Sequence, residues 1–292
     1  METAPSPVVK AYSRRGPLQQ FRLASSAAFR CFRCGESKKS KLIAVYADDW
    51  SWRLCNGCYG LLLSIHEIKA GTGPEDERAE RLAELLQTLV SLDDRRTAER
   101  MLIASDARTK FLLPETMCFL ATAEYLADKL TSNEHLEWSP SIIGLCKAVE
   151  LEVISRIVLP LAQSLGGIDL SSDQNDKDMG RLAKFCASQI GKPPELGTFA
   201  HFLSTAVHSR ARRGSSALIR KFLELANEWT GSHWILDPDG LHCALKTITL
   251  SFRNRAAHID QMTEADYREC RELVMGSEGV LWKLVTALER HR

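Results

Sequence analysis

The chain has 292 residues, of which 45% are hydrophobic and 26% charged, and its formal net charge is +1. That length suits two modest domains rather than one very large core, and the composition is that of a folded protein. The near-neutral charge excludes the global basic field of a general nucleic-acid binder, and no run approaches the roughly 20 apolar residues of a bilayer span, so no membrane association is expected.

The neutral total hides an asymmetry. Residues 1–41 carry nine Lys or Arg against Glu2 and Glu36, which leaves 29 basic and 35 acidic residues for the remainder. Residues 1–28 lack the compact apolar block of a secretory signal, and Pro5, Pro7 and Pro17 argue against one amphipathic helix there. They read as a basic flexible arm. Of nine cysteines, five (Cys118, Cys146, Cys186, Cys243 and Cys270) are scattered through apolar, helix-like segments. Scattered cysteines of this kind are reduced core residues in a reducing compartment, so a cytoplasmic location is expected.

The other four stand as Cys31-Phe-Arg-Cys34 and Cys55-Asn-Gly-Cys58, with 20 residues between Cys34 and Cys55. Two such knuckles at this separation match a four-cysteine zinc pattern, and four thiolates make a closed tetrahedral site for one structural zinc ion. Leu42–Tyr46 and Trp50–Leu54 read as two short strands around a turn at Asp48-Asp49, and Tyr59–Ile68 as a helix. A knuckle, a hairpin and a second knuckle opening a helix resemble a treble-clef zinc finger, here over residues 29–71. Free amides at a helix N-terminus would also stabilise the thiolates of Cys55 and Cys58. Lys38, Lys39, Lys41 and Arg53 beside Trp50 and Trp52 could meet phosphates and bases. The simpler reading, in which both tryptophans form the mini-core around the hairpin, is preferred.

Pro74 stands at the favoured first position of a charged helix. Leu82, Leu85, Leu89 and Leu92 recur at three- and four-residue spacing, so residues 72–112 read as a helical connector or a face that packs on a second subunit. Further helices are expected from Pro114 to Lys129, from Ser139-Pro140 to Pro160, and near 179–190, 195–208, 215–230, 239–258, 263–275 and 277–290. Thr263 is the N-cap of the helix with Glu264 and Asp266 in its first turn. Nothing after Leu54 reads as a strand. The fold expected is mainly α, a small zinc finger followed by an all-α body.

The body contains no phosphate-cradling Gly-x-x-x-x-Gly-Lys, no His-Glu-x-x-His helix and no Gly-x-Ser-x-Gly elbow. His201 and His208, seven apart, share a helix face but read as surface histidines. What remains is Phe252-Arg253-Asn254-Arg255-Ala256-Ala257-His258, at the end of an apolar-periodic helix. In the helix from Pro140 to Leu159, Glu150 falls within a stripe of Ile143, Cys146, Val153, Ile154 and Ile157, while Glu152 points to the opposite side. A carboxylate on a core-facing stripe needs a partner; Arg253, which it would orient, is one candidate, and another Arg or solvent at the stripe's edge is the alternative.

The Arg-Asn-x3-His arrangement in an all-helical domain resembles the HEPN superfamily, whose motif is Arg-x4-6-His, commonly with a polar residue just after the Arg. The resemblance covers residues 113–292 as a domain, but its specific residues are Arg253, Asn254 and His258 alone. It implies a ribonuclease, with RNA as substrate and no catalytic metal. A near-neutral histidine can move the protons of cleavage by the 2′-hydroxyl. A guanidinium is the best fixed counter-charge for the phosphorane-like transition state, and Asn254 could orient the imidazole or hold a phosphate oxygen. Five residues of separation put Arg253 and His258 about 140° apart on a regular helix. The family's solution implies a homodimer, or a higher homo-oligomer, whose two motifs line one cleft. In domain order the chain also resembles zinc-finger ribonucleases of phage defence, which implies a gated toxin-like effector with a phage protein as trigger through the finger. The alternative is a non-catalytic HEPN-like zinc-finger adaptor that binds protein or nucleic acid.

Overall fold

The computed structural model describes residues 6–130, 137–177, 179–258 and 261–288. An antiparallel meander opens the chain: β1 (Val8–Ala11), β2 (Leu18–Arg30), β3 (Ser37–Tyr46) and β4 (Asp49–Leu54), in the order 1-2-3-4. The segment expected to be a flexible arm is therefore corrected to structure over its described part. Its prolines fall outside the strands, Pro7 just before β1 and Pro17 in the turn to β2, where neither costs a ladder hydrogen bond. Leu18 and Leu23 in the arm, and Phe29 just after it, are buried on β2, so the arm extends the apolar face that Ile43 and Leu54 of the hairpin present. The β3–β4 turn is Ala47-Asp48, with φ of 51° and 62°. Two left-handed residues make the turn whose twist suits a two-residue hairpin.

Helix α1 (Asn56–Ala70) lies on this sheet through Leu62 and Ile65, and its core runs without a break into the helical body. Lys69, at its end, is buried and pairs with Glu137 at 3.1 Å and with the Ser139 hydroxyl at 3.1 Å. Next come α2 (Glu75–Thr88) and α3 (Leu92–Ser105). The leucine stripe read as one helix is split, because the Ser91 hydroxyl accepts from the Asp94 amide and caps a new helix. The buried face of α2 is Ala79, Leu82, Ala83 and Leu86, whereas Leu92 is exposed. Residues 72–112 thus pack as part of the body instead of connecting two units.

The body continues with α4 (Pro114–Leu130) and α5 (Ser139–Val153). Nearly every side chain of α5 is buried, which makes it the axis of the body. A π-helical turn, Ile154–Val158, follows and leads into α6 (Leu159–Ser164). Pro160 cannot donate to the helical ladder, and the wider turn before it lets the helix continue past it. Helices α7 (Ser171–Gln174), α8 (Gly180–Ser188), α9 (Leu196–His208), α10 (Arg210–Ser215), α11 (Ala217–Ala226) and α12 (Ser232–Ile235) follow. A second path through the core is α13 (Leu241–Thr247), a π-helical turn over Ile248–Arg253, and α14 (Asn254–Ala257). Helices α15 (Glu264–Met275) and α16 (Val280–Ala287) close the body. The expected Thr263 cap is a full capping box with Asp266. Among the described residues no strand follows Leu54, and no helix is long and apolar enough to cross a membrane.

Gly144 sets how closely α2 and α4 approach α5. A Cβ there would sit 2.6 Å from Leu86 Cδ2, 3.0 Å from Ala123 Cβ and 3.3 Å from the Phe119 carbonyl oxygen. Gly144→Ala is expected to destabilise the protein by about 1–3 kcal/mol through overpacking, read as a lower urea midpoint with an unchanged slope. An unchanged midpoint would show that the three helices have room to spare.

Candidate functional site

The four knuckle cysteines converge. Their Sγ atoms all lie within 4.8 Å of one another, as four ligands of one ion must. Backbone geometry holds the first knuckle: the Cys31 amide donates to the Glu36 carbonyl at 2.8 Å and the Gly35 amide to the Cys31 carbonyl at 2.9 Å. Gly35 has φ +68°, the conformation that a glycine adopts without strain. The second knuckle opens α1, and the Cys55 amide points at Cys31 Sγ from 3.3 Å. Arg33 Nη1 stands 3.8 Å from Cys58 Sγ.

Thiols so placed cannot all ionise without a cation. The hydrogen bond with Cys58 pulls Cys31 down to about 4, and the same bond, aided by burial, pushes Cys58 far up. Burial raises Cys34 as well, so protons stay in the cluster until a metal ion displaces them. The donor set fits a thiophilic ion in a tetrahedral site with every position filled. Around it, Trp52 stacks on Phe32 at 5.0 Å and packs against Tyr46 at 6.1 Å, so it belongs to the mini-core. Trp50 lies on Phe21 at 4.8 Å and stays partly exposed, while Lys38, Lys39 and Lys41 are exposed.

The second constellation lies where α14 meets α2 and α5. Arg253, the last residue of the π-helical turn, is 5% exposed. Its Nη1 donates to Asp76 Oδ1 at 2.5 Å, and its Nε is 3.7 Å from Glu150 Oε2. Burial alone disfavours the guanidinium charge; the Glu150 and Asp76 carboxylates more than reverse that and raise its pKa. His258 ends the helix with extended backbone (φ −87°, ψ 173°), and its amide donates to the Asn254 and Arg255 carbonyls. Freed from the helical path, its half-exposed ring places Nε2 2.7 Å from Glu75 Oε1. Arg253 and His258 therefore address adjacent residues, Asp76 and Glu75, of one helical turn. The 140° expected on a regular helix is overcome within a single chain, by the end of the helix and by α2.

Glu150 is buried, as a stripe carboxylate should be, but its shortest contact is with Lys147 Nζ at 2.8 Å, and Arg253 is its second partner. Lys147 also reaches Glu80 at 2.9 Å, and Lys192 meets Glu80 at 3.3 Å. Burial works against the Lys147 charge, and Glu150 and Glu80 more than compensate, so its pKa is raised. A narrow cleft lined by Ala79, Glu80, Cys146, Lys147, Glu150 and Arg253 lies between α2 and α5. Glu152 is fully buried on the other side, where it accepts from the Leu113 amide at 2.8 Å and pairs with Arg156. Asn254 is half-buried, and its side chain hydrogen-bonds no described residue. His208 and His201 lie on α9; His208 packs edge-on against His242 at 5.0 Å, away from this constellation's residues.

Sequence reasoning missed Glu75, Asp76, Glu80 and Lys147. The i,i+3 spacing of Lys147 and Glu150 was a readable signal. The acidic start of α2 carried none beyond a helix N-terminus.

Metal analysis should find one thiophilic ion per chain, released by mercurial titration of the thiols. Cys58→Ser is expected to lose that ion and to melt at lower temperature. Full stability with no bound ion would show that the four thiols are only packed.

The chain matches no family model, no curated protein and no solved structure, so its own residues carry the functional argument.

Proposed function

We propose that the chain is a metal-independent RNA endonuclease whose reacting groups are Arg253 and His258. The observation that carries this reading is their shared placement: a buried, carboxylate-held guanidinium and a half-exposed imidazole both face the first turn of α2. In the proposed reaction the ribose 2′-oxygen bonds to phosphorus as the bond from phosphorus to the 5′-oxygen breaks. One proton leaves the 2′-hydroxyl and one joins the departing 5′-oxygen, and the His258 imidazole serves one of these transfers. The Arg253 guanidinium faces the negative charge on the equatorial oxygens. In this reading Glu150 positions Arg253, and Asn254 holds a phosphate oxygen or the imidazole. The products are a 2′,3′-cyclic phosphate and a 5′-hydroxyl.

The four-cysteine cluster is proposed to hold structural zinc in a treble-clef-like finger, because four thiolates favour that ion and leave no position for water. The protein is read as cytoplasmic, its thiols reduced. A ribonuclease fused to such a finger needs restraint, and we read the chain as a gated toxin-like effector of anti-phage defence. In this reading a phage protein acts on the finger, and two copies of the chain pair their motifs.

A second reading is favoured by the full engagement of Arg253 with Asp76 and Glu150, which a purely structural ion pair would also show. It makes the chain a HEPN-like zinc-finger adaptor.

Cleavage of bulk tRNA and mRNA in magnesium-free buffer separates the two. Wild type should leave 2′,3′-cyclic phosphate ends, and Arg253→Ala and His258→Ala should each lower the rate by about 100-fold or more. Toxicity on overexpression that needs His258 would show the same enzyme under restraint. Neither cleavage nor His258-dependent toxicity would leave the adaptor. Chelators are to be avoided, since they would strip the structural ion.

A further inference from the structure

We propose that the acidic first turn of α2 is a built-in occupant of the phosphate site. Asp76 and Glu75 hold Arg253 and His258 where RNA phosphate oxygens would otherwise bind, and movement of the cysteine module withdraws them. What displaces the turn rests on the ribonuclease reading; the contact itself does not.

Carboxylate and phosphate oxygens compete for the same donors, a guanidinium and an imidazole N–H. In this structure the carboxylates have them, at 2.5 Å for Asp76 and 2.7 Å for Glu75. One turn on, Glu80 takes Lys147 and Lys192. Three carboxylates of α2 thereby occupy a row of four basic side chains, His258, Arg253, Lys147 and Lys192. A row of that kind is what a phosphodiester backbone would engage.

The turn is not needed to seat its helix. Ala79, Leu82, Ala83 and Leu86 bury the remainder of α2 against the body, with Leu86 over Gly144. Glu75 and Asp76 lie at the rim, with side chains 39% and 32% exposed. The helix starts at Pro74 without a side-chain cap, so its first turn leans on these ion pairs. Helix ends open at a small fraction of global stability. Unwinding residues 75–78 would uncover Arg253 and His258 while the apolar face stays docked.

A lever is present as well. Helix α1 begins at the second knuckle and contains Cys58, and it ends at Ala70, four residues before the helix that bears Glu75. Those four, Gly71-Thr72-Gly73-Pro74, include two glycines. A protein bound to the cysteine module that shifts α1 pulls on the acidic turn through the shortest of links. The Lys69–Glu137 and Arg15–Glu67 pairs resist that shift in the free protein.

The test compares wild type with Glu75→Gln/Asp76→Asn, which removes charge while keeping shape. Glu77→Gln/Glu84→Gln, on exposed positions of the same helix, controls for the lost negative charge. A fluorescent 2′-O-methyl oligoribonucleotide, which cannot be cleaved, serves as the binding probe, and bulk RNA in magnesium-free buffer as the substrate. The site pair should bind the probe at least about tenfold tighter than wild type and the control pair. Adding Arg253→Ala should abolish that gain. If the double variant melts early, the single Glu75→Gln change at the rim should show a smaller gain in the same direction. Tighter binding with faster, His258-dependent cleavage supports both the occupant and the enzyme. Tighter binding without cleavage keeps the occupant and discards the ribonuclease. Unchanged or weaker binding overturns the occupant, even where wild type cleaves. In that case slower cleavage by the variants would assign the carboxylates to positioning instead.

Discussion

A guanidinium cannot be buried without carboxylates around it, and the arrangement of this body follows from satisfying Arg253. One partner, Glu150, must come from α5, a helix buried on nearly every face. The other, Asp76, must come from outside that helix, and only a close approach of α2 delivers it. The approach in turn requires the absence of a side chain at Gly144. The π-helical turn Ile248–Arg253 completes the arrangement by setting where the guanidinium leaves its own helix. Four separate features of the chain thus meet at one side chain. Wide helical turns are costly, and they persist where the surroundings or a function hold them.

The same constraint ties the cysteine module to the body. Its sheet and α1 share one apolar core with the helices, and the buried Lys69 fastens the end of α1 to Glu137. From there the chain has only residues 71–74 before it supplies the partners of Arg253 and His258. The path from Cys58 to Glu75 is one helix and a four-residue link, which is the connection that the proposed withdrawal of the acidic turn requires.

Much of the fold was legible. The two knuckles, the hairpin after them, the helix starts at Pro114 and Ser139 and the Thr263 cap all rest on local signals, and local signals survive folding. The arm at residues 6–28 did not read as structure, because β2 depends on pairing with β3, a contact outside the arm, and β1 in turn depends on β2. The stripe at Leu82–Leu92 misled for a related reason. Its spacing continues through Ser91, yet the hydroxyl there caps a new helix. At the site, the burial of Glu150 was readable from the stripe, and its kinship with Arg253 was one of the alternatives. The i,i+3 pairing of Lys147 with Glu150 left a local signal, whereas the roles of Asp76 and Glu75 did not, since long-range ion pairs leave no pattern in the sequence. The helix end at His258 was expected, but not that it turns a 140° separation into a shared frontage on α2.

The central claim is that Arg253 and His258 together recognise a phosphorane. A nucleoside–vanadate complex mimics that five-coordinate geometry, and transition-state mimics bind far more tightly than ground-state ligands where catalysis is real. The direct measurement is the response of the His258 imidazole resonances, by nuclear magnetic resonance, to uridine with vanadate. The account predicts a saturable shift at lower concentration than with vanadate or uridine alone, and its loss in Arg253→Ala. Resonances that do not move, or that move equally in Arg253→Ala, would contradict it.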